Sequence, residues 1–363
     1  MTIVSTSYSS TNTFSDPHQW LQRIDFYTGI LEELAKKHEV VSIERINYEG
    51  EVQQNGVEYH FMRLKNEVVY LPTKMHKFIK DQNPDVVLVN GLSFPLQVLQ
   101  LRRRLGPSVK IILFHRADRP FEGMKGRLQR MTDKEIDAYL FSSSEFADQW
   151  KNNINVDKVS EVMHASSTFQ PANKVEAREK LRLKGNPLFL WVGRLDRNKD
   201  PLTVVKAFKQ LLFQHPSAVL YMIYQTEELL KEVEELTKGI ENIRLIGKVA
   251  HQDLQDWYNA SDFMVSGSHY EGGGISVCEA LSCGCIPIVT NITSFRAITG
   301  RGKCGLLYAP GSEEELLKAF NKAMKLDVDK ERENTLRQFN DELSFAAIAR
   351  KIGAVINSID KRR

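Results

Sequence analysis

At 363 residues the chain is long for one domain and comfortable for two. A hydrophobic fraction of 42% and a charged fraction of 26% are ordinary for a globular protein, so each half can bury a core of its own. The net charge of +3 is too weak to imply nucleic acid, and no apolar run reaches the ~18 residues of a membrane-spanning helix. The start, MTIVSTSYSSTNTF, has neither a basic stretch nor an apolar core, which predicts no secretory signal and a cytoplasmic place of work.

In chain order, apolar β-branched runs alternate with segments of helical period. Strands are predicted at Val86–Asn90, Lys110–Phe114 and Ala138–Phe141, with helices such as Leu96–Leu105 and Phe146–Lys151 between and after them. A polar, proline-bearing stretch around Ser166–Ala172 predicts a domain boundary, and the helix Lys174–Leu183 leads on from it. The pattern then restarts with strands at Leu188–Val192, Val219–Tyr224, Ile243–Ile246, Phe263–Ser266 and Ile286–Val289. Beyond Gly311 the chain reads as mostly helical, ending in a long segment from Leu343 to Ile359. Continuous apolar strands joined by helices imply parallel crossovers, so the fold class is α/β, twice over. Ligands of such sheets bind at the carboxyl ends of the strands, where functional residues are therefore expected.

Two clusters meet that expectation. Gly193-Arg194-Leu195-Asp196-Arg197-Asn198-Lys199 follows a strand directly and precedes a helix opened by Asp200 or Pro201. Arginine offers a planar fork and lysine a compact charge, the compensation a departing diphosphate needs. The second cluster, Glu271-Gly272-Gly273-Gly274-Ile275, opens the helix that runs on through Glu279. Its glycines allow close backbone approach, its helix start suits an anion, and its carboxylates suit sugar hydroxyls. Elsewhere, residues 63–130 carry fourteen basic against five acidic residues, a stretch open either to an anionic partner or membrane surface or to plain solvated helix faces. Cys278, Cys283, Cys285 and Cys304 lack paired metal-site spacing and are expected to be free, packed thiols.

Three signals fail on context. The G-x-G-x-x-G of Gly300–Gly305 precedes a strand-like GLLY instead of opening a helix. Asp327-Val328-Asp329 lies in a charged interhelical segment and reads as a helix start, and the apolar repeat in Pro201–Phe213 reads as core.

The order GRLDRNK, HYEGGGISVCEALSCGCIPIV and TGRGKCGLLYAPG resembles the donor-binding domain of family 4 glycosyltransferases, with a GRL-x3-K segment and a Glu-x7-Glu motif at Glu271 and Glu279. The likeness covers most of residues 185–325 and is fainter over 1–165. It implies a GT-B fold, two Rossmann-like domains facing each other across a cleft: 1–168 on the acceptor side, 169–342 on the donor side, with a helix in 343–363 returning to the first. It further implies that Arg194 and Lys199 bind the donor diphosphate and that Glu271 contacts the transferred sugar. Gly193, Gly273, Gly274 and Ile275 would bring backbone to the donor, and Glu279 would hold the ribose. The loop of Gly247, Lys248 and Val249 would meet the base, and His115 would face the sugar. The implied reaction moves a sugar, with retention and without a metal or other cofactor, from a nucleotide-diphosphate donor to a saccharide or lipid-linked acceptor, in cell-surface polysaccharide or glycolipid synthesis. The partners implied are that donor and acceptor, with peripheral contact to an inner membrane face through 63–130 and no nucleic acid. Where family members carry a Gly-Gly loop after the first strand, this chain has Ser15, Asp16 and Pro17. An epimerase, a phosphorylase or a non-catalytic nucleotide-sugar-binding protein of the same shape remain alternatives.

Overall fold

The apolar runs form the middles of two sheets, each in its own compact unit. The computed structural model describes residues 1–63, 70–116 and 118–360, the Asp360 side chain excepted. One unit takes Met1–Ser166 and the chain from Phe345 onward, the other Ser167–Ser344.

The first unit runs β1 (Thr2–Ser7), α1 (Pro17–Arg23), α2 (Asp25–Ala35), β2 (Glu39–Glu44), β3 (Gly50–Gln54), β4 (Val57–Phe61), α3 (Thr73–Asp81), β5 (Val86–Asn90), α4 (Pro95–Leu105), β6 (Lys110–Phe114), α5 (Gly123–Asp133), β7 (Ala138–Phe141), α6 (Ser144–Ala147) and β8 (Val159–Glu161). Its sheet has the order β3-β4-β2-β1-β5-β6-β7-β8, parallel throughout except for the β3–β4 hairpin. Strand order reverses at β1: the chain builds outward to β2 on one side, then returns to add β5 on the other. That reversal opens a crevice at the carboxyl ends of β1 and β5.

The second unit runs α7 (Lys174–Leu181), β9 (Leu188–Gly193), α8 (Pro201–Leu212), β10 (Val219–Tyr224), α9 (Leu230–Thr237), β11 (Ile243–Gly247), α10 (Leu254–Ala260), β12 (Phe263–Ser266), α11 (Ile275–Ser282), β13 (Ile286–Thr290), α12 (Thr293–Ile298), β14 (Leu306–Tyr308), α13 (Glu313–Ala323) and α14 (Val328–Gln338). Its parallel sheet has the order β11-β10-β9-β12-β13-β14, so the reversal lies between β9 and β12. Phe189 of β9 stacks on Phe263 of β12 at 5.0 Å, and Phe208 and Phe320 close edge-on from α8 and α13. These rings are fully buried or nearly so, and each contributes about 1.5–3 kcal/mol of hydrophobic stabilisation.

The last helix, α15 (Phe345–Asp360), belongs to the first unit and packs on α2. Ile348, Ile352, Ile356 and Ile359 recur at helical spacing and are buried. The approach is close enough to need a glycine: a Cβ on Gly29 of α2 would lie 2.6 Å from the Phe345 ring.

Several expectations need correction. The predicted helix Phe146–Lys151 is instead the single turn of α6 followed by a 3-10 turn at Asp148–Trp150. The helix from Lys174 stops at Leu181 because Arg182 turns left-handed at φ 52°. The final helix begins at Phe345, two residues later than read, because Phe339–Leu343 winds as a π-turn. Phe213 is 88% exposed and is no part of the core. The basic stretch is no single face either. Arg102 is buried, bonding the Glu135 carbonyl and pairing with Asp137 at 2.7 Å, and Lys110 is buried too. Lys65 lies outside the described residues. Asp327 caps α14, accepting from the Lys330 amide at 3.1 Å, and all four cysteines are buried and free.

Candidate active site

At the second unit's switch point, neighbouring strand ends hold the two motif loops together. After β9, Asp196 organises its loop by accepting from the Lys199 amide at 2.9 Å and pairing with Arg194 at 3.0 Å. Asp200 then caps α8 through the Thr203 amide at 3.2 Å. Asn198 fastens this loop to the one after β12, with its carbonyl accepting from the His269 amide at 2.8 Å. Its side chain bonds the Tyr270 amide and carbonyl, each at 3.1 Å.

The consequence is a direct ion pair between Lys199 Nζ and Glu271 Oε1, whose side chains are only 18% and 16% exposed. Ser268 Oγ donates to the same carboxylate oxygen at 2.8 Å, and Ser294 Oγ holds the Glu271 carbonyl. Arg194, by contrast, is 55% exposed and pairs with Asp196 of its own loop. The structure therefore brings Lys199 to Glu271 and leaves Arg194 beside Asp196.

Two residues after Gly272 the chain turns left-handed at Gly274, φ 56°, to open α11. A Cβ there would lie 2.6 Å from Ile298 Cδ1, so both backbone and packing demand glycine. Gly274 provides no capping side chain, which leaves the helix start without a side-chain acceptor. One turn on, Glu279 is buried, receiving Tyr258 Oη at 3.2 Å and lying 2.6 Å from His251 Nε2. Burial, reinforced by the Glu279 charge, pushes the Tyr258 phenol well above its usual range, so it stays protonated and donates. Lys248 is exposed just past β11, and Val249 beside it is half-buried.

His115 belongs to the first unit, directly after β6, and is 3% exposed. Its ring stacks on Phe141 at 4.5 Å, Nε2 sits 3.0 Å from the Asp118 carbonyl, and Nδ1 has no partner among the described residues. Burial holds its pKa down, partly offset by Asp118, so the ring is neutral with Nε2–H donating. At this unit's own switch point lies a cavity of about 600 Å³, lined among others by Ser7, Glu44, Arg45, Asn90, Arg116 and Asp118. Ser15, Asp16 and Pro17 do not line it; Asp16 caps α1 through the His18 and Gln19 amides at 2.8 and 3.2 Å, and Pro17 starts the helix.

Sequence reasoning did not single out Ser268, Ser294, His251 or Tyr258, which hold the two motif glutamates. Nothing in their spacing marks them, because they converge only through strand order. Arg45 and Glu44 escaped for the same reason.

Residues 173–340 match the family described as Glycosyl transferases group 1. A D-inositol 3-phosphate glycosyltransferase of Streptosporangium roseum is 29% identical over 153 residues, 39% of this chain and 35% of that protein, so the match reaches about a third of the relative's length. Sucrose-phosphate synthase from Thermosynechococcus elongatus superposes with a TM-score of 0.70 at 16% identity, covering 100% of both chains. Anabaena Alr3699/HepE, solved in complex with UDP and glucose, does so with a TM-score of 0.69 at 13% identity, over 99% of this chain and 100% of that one. These likenesses are of fold, and the fold is GT-B, built from two Rossmann-like units. Over residues 173–340, a little under half of its length, the chain is similar to the group 1 glycosyltransferases.

Proposed function

We propose that the protein transfers a sugar, with retention, from a nucleotide-diphosphate donor to a saccharide or lipid-linked acceptor. The observation that carries this reading is the Lys199–Glu271 pair at a strand-order reversal, next to the glycine-opened start of α11. Breaking the bond between the anomeric carbon and the diphosphate oxygen leaves its electrons on the diphosphate. Lys199 and the positive end of α11 answer that charge, with Arg194 as an exposed second cation. Glu271 holds the sugar through its hydroxyls, Glu279 the ribose, and Lys248 and Val249 flank the base. The group answering the charge is a lysine and a helix start, so the proposal includes transfer that continues in EDTA.

A family match over residues 173–340 supports the donor half of this reading, as do the UDP and glucose bound by the similarly folded Anabaena Alr3699/HepE. The proposal extends to cell-surface polysaccharide or glycolipid synthesis at the inner membrane face. In its support, α5 exposes Met124, Lys125, Arg127, Arg130 and Met131 together, with Arg103 and Arg104 exposed on the neighbouring α4. Among the described residues no helix is long and apolar enough to cross a membrane.

The test is a thermal-shift and calorimetric panel of UDP-, GDP- and ADP-sugars, followed by donor turnover with and without added acceptors. One nucleotide should stabilise the protein, with turnover stimulated by acceptor. If none of the three diphosphates binds, the reading is wrong.

A further inference from the structure

The β3–β4 hairpin, at the outer edge of the first unit's sheet, gathers three metal-ligating side chains that the transfer site does not use. Its turn, Asn55-Gly56, sets the register, so that Glu51 of β3 lies directly across from His60 of β4. Glu58 stands two residues before His60 on the same strand, and a strand sends such residues to the same face. Backbone pairing thus brings one carboxylate from β3 to a carboxylate and an imidazole from β4. One ligand atom from each of the three lies within 4.8 Å of the others.

The ring at the centre is the informative part. His60 is only 7% exposed, and the Phe78 ring of α3 packs on it at 4.5 Å, which fixes its plane. Its Nδ1 lies 3.1 Å from Glu51 Oε1, and its Nε2 meets Glu58 Oε1. A neutral imidazole has one N–H, so it can donate to only one of these carboxylates. The other oxygen then faces a ring lone pair, acceptor against acceptor. No lysine or arginine among the described residues pairs with Glu51 or Glu58, although two carboxylates this close repel each other. Two carboxylates and a nitrogen lone pair therefore converge where a positive charge is lacking. One imidazole nitrogen with carboxylate oxygens is a donor set that zinc and its neighbours among the divalent transition ions accept, whereas magnesium prefers oxygen alone.

We propose that the hairpin binds one divalent transition-metal ion of the zinc class through His60, Glu51 and Glu58, with water completing the coordination. The side chains of Glu51 and Glu58 are 68% and 43% exposed, so their carboxylates can close onto the ion while the buried ring stays as the fixed point. The ion clips an edge hairpin, where backbone pairing groups are left open on one side. The site lies two strands or more from β1, the strand at which order reverses, so its role is structural and stands whether or not the transferase reading does.

The test titrates the full chain, first freed of metal by a chelator, with zinc chloride by calorimetry at about pH 7.5, with magnesium chloride for comparison. One zinc ion per chain should bind, about 100-fold or more tighter than magnesium, and should raise the thermal midpoint of unfolding, a gain that EDTA reverses. Glu51→Gln and Glu58→Gln should each weaken zinc tenfold or more, and His60→Gln more still. Should His60→Gln fail to fold, the exposed Glu51 gives the same test without disturbing the core. In the unmutated chain the NMR signals of the His60 ring should move as zinc is added. Zinc binding no tighter than magnesium, or indifferent to all three substitutions, overturns the inference. So does a His60 ring that carries a proton on each nitrogen and keeps both when zinc is added, because a proton alone then supplies the missing charge.

Discussion

At the second unit's switch point, Lys199 and Glu271 neutralise each other, Asn198 fastens their loops, and a glycine sets the helix start. At the first unit's switch point, built on the same parallel topology, Arg45 is left with unpaired donors and Asn90 with an unpaired acceptor. The difference teaches where ligand recognition is prepaid in each. A preorganised ion pair can open and share its charges with little rearrangement, so it suits a leaving group whose charge appears only during reaction.

The largest effect expected on this comparison is at Lys199. Lys199→Ala should lower kcat by about 100- to 1000-fold, the cost of losing one preorganised donor to a developing anion. Steady-state kinetics against Arg194→Ala sharpens it, since the exposed Arg194 should matter less. Equal losses at both positions would break the distinction between a sheltered and a solvent-facing cation.

Gly274→Ala comes next. The left-handed φ costs about 1–2 kcal/mol for a residue with a Cβ, and the clash with Ile298 adds overpacking of about 1–3 kcal/mol. Urea unfolding should show the second unit weakened by that order. In a double-mutant cycle, Gly274→Ala should cost less in an Ile298→Val background than in the native one, and an equal cost in both would remove packing from the account.

Acid should separate the units. Burial pushes His76 down to about 4 and His164 to about 3, and lowers His38 and His115 as well, all in the first unit. Unfolded, these rings titrate near 6.5, so below that pH the unfolded chain binds more protons than the folded one. The penalty is absent above about pH 6.5 and grows as pH falls toward 4, by about 1.4 kcal/mol per pH unit for each of His76 and His164, with His38 and His115 acting in the same direction. Glu44, raised by burial, opposes this with a single proton. Hydrogen exchange at pH 7 and pH 5, corrected for intrinsic rates, should show first-unit amides losing more protection. Equal losses in both units would contradict it.

Much of the scaffold was legible in the sequence because the central strands are buried on both faces. Val86–Asn90, Lys110–Phe114 and Ala138–Phe141 are read to the residue for that reason. Other strands were harder: β2 (EVVSIE) mixes charge with its apolar residues, and β8, at the sheet edge, is three residues long. The β3–β4 hairpin did leave a signal, Asn55-Gly56 with both φ positive, which is the sequence of a two-residue turn. In the second unit, Glu271 and Lys199 were visible because each lies in a loop that follows an apolar run. Their pairing was not, since it depends on β9 and β12 being neighbours despite β10 and β11 intervening in the chain. Arg45 had no signal at all: what sets it apart is the lack of a partner, and only packing can reveal that.

The smallest effect tests the loop of Ser15, Asp16 and Pro17. Asp16 accepts from two amides of the first turn of α1, and Pro17 supplies a first helical residue that needs no donor partner. Those are the marks of a helix start, and neither residue lines the cavity that Arg45 faces. Asp16→Ala should therefore cost about 1 kcal/mol, the usual worth of such a cap, seen as a lower urea midpoint for the first unit. Asp16→Asn, which keeps an accepting oxygen, should recover most of it. Affinity for nucleotide diphosphates should stay within twofold in both variants, because Asp16 belongs to the first unit and the donor loops to the second. A tenfold change in that affinity at unchanged stability would mean that the loop reads the ligand itself, and the two switch points would then differ less than their charges suggest.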